Sequence, residues 1–433
     1  MNPVSAPTPA VPAWRGGWAQ GLSYGGLGLP LAFVALPLYV ILPNHYASEF
    51  GIPLATLGAL LLGARLLDAF VDPTIGRWAD RWFAHSRQRV LWAAAAAAVL
   101  LAVGFRALFF PPVQGMQALL WWCGMWLALT YFSFSVISVL HQAWGARLGG
   151  DEAQRARIVS WREALSLVGV LVASVLPSVA GLSVASGVFA VTLALGVALL
   201  WLAPHPQGAV HPGIPDGLAQ ARLGTPLATP AFRRLLAIYL VNGVASAVPA
   251  TLVLFFIRDR LQAQAWEPLF LASYFAAGAL SIPLWVRAVR RWGLAPTWCV
   301  GMVLAVLSFA WAALLGAGDI VAYTAVCVAS GVALGADLTL PPALLAGVIQ
   351  RAGHGQKLEG AYFGWWNFAS KLNLALAAGI ALPLLSYFGY APGSRDAQGL
   401  SALTLAYCLL PCLLKLVAVG MLWSLWLRKE KDS

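Results

Sequence analysis

Residues 204–234 read PHPQGAVHPGIPDGLAQARLGTPLATPAFRR, the longest polar stretch in a chain of 433 residues. On either side the sequence turns apolar in runs of about 20 residues, the length a helix needs to cross a bilayer. Six runs precede the stretch, over 22–44, 54–76, 89–110, 116–141, 159–181 and 183–203. Six follow it, over 235–257, 268–288, 296–317, 320–346, 361–387 and 400–427. The spacing predicts an all-α membrane protein with 12 transmembrane helices in two six-helix halves. The N-terminal half covers 1–203, with a tail to about residue 20, and 204–234 is the central loop. The C-terminal half covers 235–433 and ends in a short basic tail. Hydrophobic residues make up 60% of the chain and charged ones 10%, with a mean hydropathy of +0.77. A soluble domain carries about 25% charged residues, so this chain has too few to coat a water-facing surface. A soluble enzyme and a disordered chain are excluded on that ground.

The basic residues give the orientation. With the N-terminus cytoplasmic, 19 of the 27 lysines and arginines fall in cytoplasmic segments. Only Arg258, Arg260 and Arg395 fall outside, and five lie within or at the ends of spans. Positive charge gathers on the cytoplasmic side of membrane proteins, so both termini are expected there. The same bias accounts for much of the net charge of +11 without a nucleic-acid partner. The five cysteines sit in apolar runs and read as inert thiols. No nucleophile–base set or metal motif points to an enzyme, and no cofactor is implied.

Charges at membrane depth are expensive and mark function by default. The densest group is ARLLDAFVDPTIGRWADR, residues 64–81. Asp68 and Asp72 are four apart, so both carboxylates share one helix face. Such a pair can share a proton or hold a monovalent cation between its oxygens. The other reading pairs them with Arg65 or with a basic residue on another helix. Arg162 in span 5 and Lys371 in span 11 are the basic candidates. Their offset of 209 nearly equals the 210 that relates Pro73, Arg77, Arg81 and Trp82 to Pro283, Arg287, Arg291 and Trp292. Parallel repeats of this kind relate the two halves of such carriers. Lys371 would be the counter-charge of the acids, and Arg162 would face a central cavity. Tyr24, His141, Trp144, Asn242, Trp365 and Asn367 are further candidates for contacts to a polar solute. Gly76, Asp80, Arg81 and Asp337 are candidates for a cytoplasmic gate. There, Asp80 can bond a helix N-terminus or an arginine.

These residues carry a family resemblance. SYGGLG in span 1, the span 2 motif, HQAWGARL ending span 4, SWREALS in span 5, GAYFGWWNFASKL in span 11 and the late GYAPGSRDAQ belong to it. The chain resembles the glycoside–pentoside–hexuronide:cation symporters, the melibiose-permease branch of the major facilitator superfamily. The resemblance implies the major facilitator fold and alternating-access symport of a sugar with H+ or Na+. It places the cation on Asp68 and Asp72, the nearby basic residue at Lys371, and sugar contacts at Arg162 and Trp144. The sequence departs from the melibiose permeases at Pro30-Leu31-Ala32, Leu140 and Val71, where they carry acidic or polar residues. It departs from many relatives after span 10, where Gly347 and Gln350 replace acidic residues. Galactoside contacts are therefore missing, which leaves room for another polar solute or for a lysolipid-like amphiphile. The remaining alternative is a membrane sensor that transports nothing. The expected partners are the solute and the lipid bilayer. The expected state is a monomer in the cytoplasmic (inner) membrane.

Overall fold

In the computed structural model, residues 14, 16–206, 222–390, 393 and 396–428 are described, and they contain helices and loops but no strand. Most of the N-terminal tail, residues 207–221 of the central loop, Arg395 and the end of the C-terminal tail lie outside the described residues. Helix α1 is built from Trp18–Gly25 and Gly28–Leu36, passing through a π-type turn at Pro37–Ile41 into Leu42–Phe50. Then come α2 (Leu54–His85), α3 (Arg87–Phe109) and α4 (Met116–Arg147). The run Glu152–Leu202 holds two spans. It reverses at Gly181, whose φ of 82° and ψ of 163° are non-helical and in a region that favours glycine. The segment before Gly181 is α5 and the one after it α6.

The second half repeats the plan. Its helices are α7 (Pro230–Phe255, continued by a π-type turn at Phe256–Arg260), α8 (Glu267–Trp292), α9 (Leu294–Ala312), α10 (Ile320–Arg351) and α11 (Glu359–Tyr387). The last, α12, runs through Ala397–Thr404, Leu405–Leu409, Leu410–Leu422 and Trp423–Leu427. Every one of the 12 expected spans falls on one of these helices. Among the described residues, nine helical runs are long and apolar enough to cross a membrane. Pro73 and Pro283, equivalent in the repeat, both lie inside their helices.

The outer surface is apolar because it meets lipid. Phe70, Trp121, Leu280, Leu314 and Val321 are all largely exposed. One apolar core runs through the first half, from Trp14 to Ala203. A second lies at the end of the C-terminal half where α7 finishes and α10 begins, around Phe256, Tyr323 and Tyr407. A third joins Ala146, Ala156 and Val159 of the first half to Leu340, Leu344 and Tyr362 of the second. The halves are therefore packed together at the end where α2 and α4 finish and α11 begins.

Candidate functional site

Helices α2 and α11 approach at backbone distance. A methyl group on Gly76 would overlap the carbonyl oxygen of Gly360, and one on Gly364 would crowd the backbone of Asp72 and Pro73. Small residues allow this kind of contact between membrane helices. Further along the same antiparallel pair, Phe70 meets Phe368 with ring centroids 5.8 Å apart. Three residues further along α11, Lys371 also reaches α2. Its Nζ lies 2.6 Å from Asp68 Oδ2 and 2.7 Å from Asp72 Oδ2. It also donates to Ser135 Oγ of α4 at 2.8 Å, and Ser135 in turn donates to Asp68 Oδ1 at 2.7 Å. Asp72 is fully buried, and among the described residues its Oδ1 accepts no hydrogen bond. Arg65 is not a partner of the acids. Its guanidinium sits 4.1 Å from the centroid of the Tyr39 ring.

One ammonium thus faces two carboxylates. With all three groups ionised, the cluster carries one excess negative charge in a place that solvates charge poorly. It joins two helices of one half to one helix of the other.

The packed end carries a second set of contacts between the halves. Asp80 on α2 accepts from the backbone N–H groups of Gly360 at 2.7 Å and Ala361 at 2.8 Å, in the first turn of α11. A carboxylate at a helix N-terminus is favoured by unpaired N–H groups and by the helix dipole. Arg147, at the end of α4, bridges Asp80 and Glu359, with Nη2 3.0 Å from each. It also donates to Gln356 O at 2.9 Å, and its guanidinium lies 4.3 Å from the centroid of the Phe83 ring. Gln356 returns a bond from Nε2 to Arg147 O at 3.0 Å. Nearby, Arg155 of α5 donates to Gln350 Oε1 of α10 at 2.9 Å, and Glu152 Oε2 accepts from Leu294 N at 2.8 Å. The halves are therefore latched at this end. Of the expected gate residues, Gly76 and Asp80 belong to the latch. Arg81 is exposed, and the hydrogen bonds and ion pairs of the latch run through Asp80, Arg147, Gln356 and Glu359 instead.

Asp337 lies elsewhere. It belongs to a network inside the C-terminal half, where its Oδ2 accepts from Lys415 Nζ at 2.6 Å and Ser246 Oγ at 3.3 Å. Its Oδ1 accepts from Trp298 Nε1 at 2.9 Å and Asn242 Nδ2 at 3.2 Å. Lys415 also donates to Asn242 Oδ1 at 2.8 Å and Ser246 Oγ at 3.1 Å. Asn242, expected as a solute contact, is thus a member of this network. The group borders a cavity of about 170 Å³ with largely apolar walls, to which Phe270, Tyr274, Phe309 and Tyr323 contribute their rings.

The other solute candidates divide. Tyr24 and His141 come together across α1 and α4, with ring centroids 4.6 Å apart and the His141 Nε2 2.7 Å from Tyr24 O. Arg162 is buried and holds Glu163 Oε1 through Nε at 2.8 Å and Nη2 at 2.5 Å. Trp144 has no exposed surface, and its indole donates at 3.1 Å to the carbonyl oxygen of Pro204, the first residue of the central loop. Trp365 donates to Leu223 O at 2.9 Å, which ties α11 to the central loop. Asn367 is half-buried two residues further along α11. Trp144 and Trp365 therefore stand outside the Asp68–Asp72–Lys371 group.

Sequence reasoning missed Ser135, Arg147, Glu359, Gln356 and Lys415. Arg147 carried a signal only as one basic residue among many at a helix end. Lys415 carried a clearer one, as the one charged residue in its span.

Residues 22–211 and 219–429 match the family described as MFS/sugar transport protein. The chain belongs to that family. It is an integral, multi-pass membrane transporter of the major facilitator superfamily, not an enzyme. Its resemblance to the glycoside–pentoside–hexuronide:cation symporters is supported by two proteins of Escherichia coli K12. The inner membrane symporter YicJ is 27% identical over 159 residues, 36% of this chain and 33% of that protein. The putative glycoside/cation symporter YagG is 26% identical over 156 residues, 35% of this chain and 33% of that protein. Each alignment spans about a third of the relative's length. Among solved structures, a bacterial homologue of the iron transporter ferroportin in an outward-facing state superposes with a TM-score of 0.66 at 15% identity, covering 94% of this chain and 99% of that one. The E. coli fucose:proton symporter FucP superposes with a TM-score of 0.64 at 15% identity, covering 93% of this chain and 97% of that one. At these identities the structural likeness speaks for the fold alone.

Proposed function

We propose that this transporter carries a sugar or another small polar solute in symport with one monovalent cation, H+ or Na+, in the cytoplasmic membrane. It works as a monomer with both termini cytoplasmic. The observation that carries the reading is the placement of Lys371, on one half, against both Asp68 and Asp72, on the other. Two carboxylates against one ammonium leave room for one more positive charge. A cation entering from outside neutralises that excess and competes with Lys371 for the carboxylate oxygens. The bond between the halves weakens as a result. Ion binding is then linked to the rocking of the halves, which is what coupling requires. Asp68, Asp72 and Ser135 supply the oxygens, Lys371 is the counter-charge, and the Asp80–Arg147–Glu359 latch holds the cytoplasmic end closed meanwhile. The same machinery acting on an amphiphile is the second reading. The apolar cavity with Asp337, Ser246 and Lys415 at its border favours it.

The test is ion flux in proteoliposomes, driven by a panel of sugars, sugar acids and lysolipids. Flux with a sugar that falls at least about 100-fold in Asp72→Asn fits a coupling acid, a loss of roughly 3 kcal/mol. Flux with a lysolipid alone selects the amphiphile reading. Flux untouched by Asp72→Asn removes these acids from the coupling site.

A further inference from the structure

A crevice of about 420 Å³ opens between α5 of one half and α8 of the other, at the latched end of the bundle. Arg157 contributes from α5, and Arg287 and Arg290 from α8. Its walls include Trp161, Ala279, Ile282 and Pro283, with Trp18 at its edge. The indoles of Trp18 and Trp161 meet edge to face, with centroids 5.0 Å apart.

Among the described residues, none of these three arginines has an ion pair or a side-chain hydrogen bond, which sets them apart from Arg147 and Arg155 on the same side. The nearest carboxylates in sequence are already engaged. Asp151 caps the start of α5 through Gln154 N, Glu152 holds Leu294 N, and Glu163 holds Arg162. From residue 268 to 292 helix α8 has no acid, and neither do residues 1–15, so the chain's own N-terminal segment brings no counter-charge. Among the described residues, three arginines therefore border one cavity whose lining holds no carboxylate.

We propose that this crevice binds the phosphate of an anionic phospholipid from the cytoplasmic leaflet. The arginines take the phosphate, and the apolar wall and the tryptophans take the glycerol and the first part of the acyl chains. Basic pockets between membrane helices on the cytoplasmic side suit acidic headgroups, and tryptophan sits at headgroup level. Because the arginines come from both halves, the bound lipid clasps the halves at the latched end. The inference does not depend on which solute or ion is carried.

The test is native mass spectrometry of protein taken from vesicles of phosphatidylcholine mixed with phosphatidylglycerol. Wild-type protein retains phosphatidylglycerol in preference to phosphatidylcholine. Arg287→Gln with Arg290→Gln lowers that preference by roughly 20- to 30-fold, the loss of two arginines near a membrane surface. Arg233→Gln with Arg234→Gln makes the same charge change elsewhere on this side and leaves the preference intact. Ala279→Phe keeps every arginine but fills the crevice, and it lowers the preference as well. The proposal is overturned if the wild type shows no preference, or if both double variants lose it equally, since charge then acts diffusely. It also fails if Ala279→Phe has no effect. Displacement of phosphatidylglycerol by millimolar inorganic phosphate would make the ligand a free anion and overturn the lipid assignment.

Discussion

The Asp68–Asp72–Lys371 group joins α2 and α4 of one half to α11 of the other, whereas the Asp337–Lys415 group joins α7, α9, α10 and α12 of a single half. In the first, the lysine side chain is 20% exposed and two acids share it. In the second, the lysine is 4% exposed and its acid is matched one to one. Every donor of Lys415 is used, and both oxygens of Asp337 accept two bonds. Among the described residues, Asp72 Oδ1 accepts none. A neutral network satisfied within one half keeps its arrangement while the halves rock. A network between the halves that lacks one positive charge has a reason to change when a cation arrives.

The sharpest way to break this contrast is to remove each lysine. Lys415→Met leaves Asp337 buried with its charge uncompensated, and breaking a buried pair from one side costs about 3–5 kcal/mol. Chemical or thermal unfolding in detergent should show that loss. A paired Lys415→Met and Asp337→Leu variant should recover most of it, because replacing both partners with apolar groups is often neutral. Lys371→Met should lose less than half as much stability. Lys371 is more exposed than Lys415, and a proton on either acid can stand in for the lost ammonium. Equal losses at the two lysines would end the distinction between a fixed and a switching network.

The latch sharpens the comparison, since it also joins the halves but has strong donors on its acid. Asp80→Asn should weaken two charge-assisted bonds to the start of α11, each worth about 1.5–3 kcal/mol. The cytoplasm-closed population should then fall by at least about tenfold relative to the open one. Spin-label distances between the α2–α3 turn and the α10–α11 loop would read that shift, with unfolding stability little changed. Unchanged distances would mean that the apolar cluster around Leu340 and Tyr362 holds this end closed without the latch.

Much of this was legible in the sequence because lipid imposes length and composition on every span. All 12 spans follow from hydropathy, and the Gly181 reversal falls between the fifth and sixth. Asp68, Asp72 and Lys371 stood out because ionisable residues are rare at that depth. Asp80 was legible through its place at a helix end. What the sequence withheld was partnership. Asp337 and Lys415 are 78 residues apart, and no local pattern links a helix 10 acid to a helix 12 lysine. Ser135 looked like one more small hydroxyl in SFSVISV until the fold set it between an acid and a lysine. Tryptophans were harder to place, because a large aromatic near a helix end can serve a cavity, an interface or a core equally well.

Trp144 gives the smallest effect and the cleanest division. The resemblance implies a sugar contact there, yet the ring is enclosed in the N-terminal core, edge-on to Phe83 at 6.1 Å, with its N–H on Pro204 O. Trp144→Phe keeps most of the packing and removes that one hydrogen bond, a loss of about 0.5–1.5 kcal/mol in stability. Solute KM should stay within about twofold of wild type, since under 1 kcal/mol of binding is at stake. A tenfold rise in KM without a change in unfolding would instead put the indole in contact with solute. That would require the end of α4 to open toward the cavity in another state of the transport cycle. The rule drawn from the two charge networks would then fail at its most buried aromatic, because a contact made within one half would govern transport rather than stability.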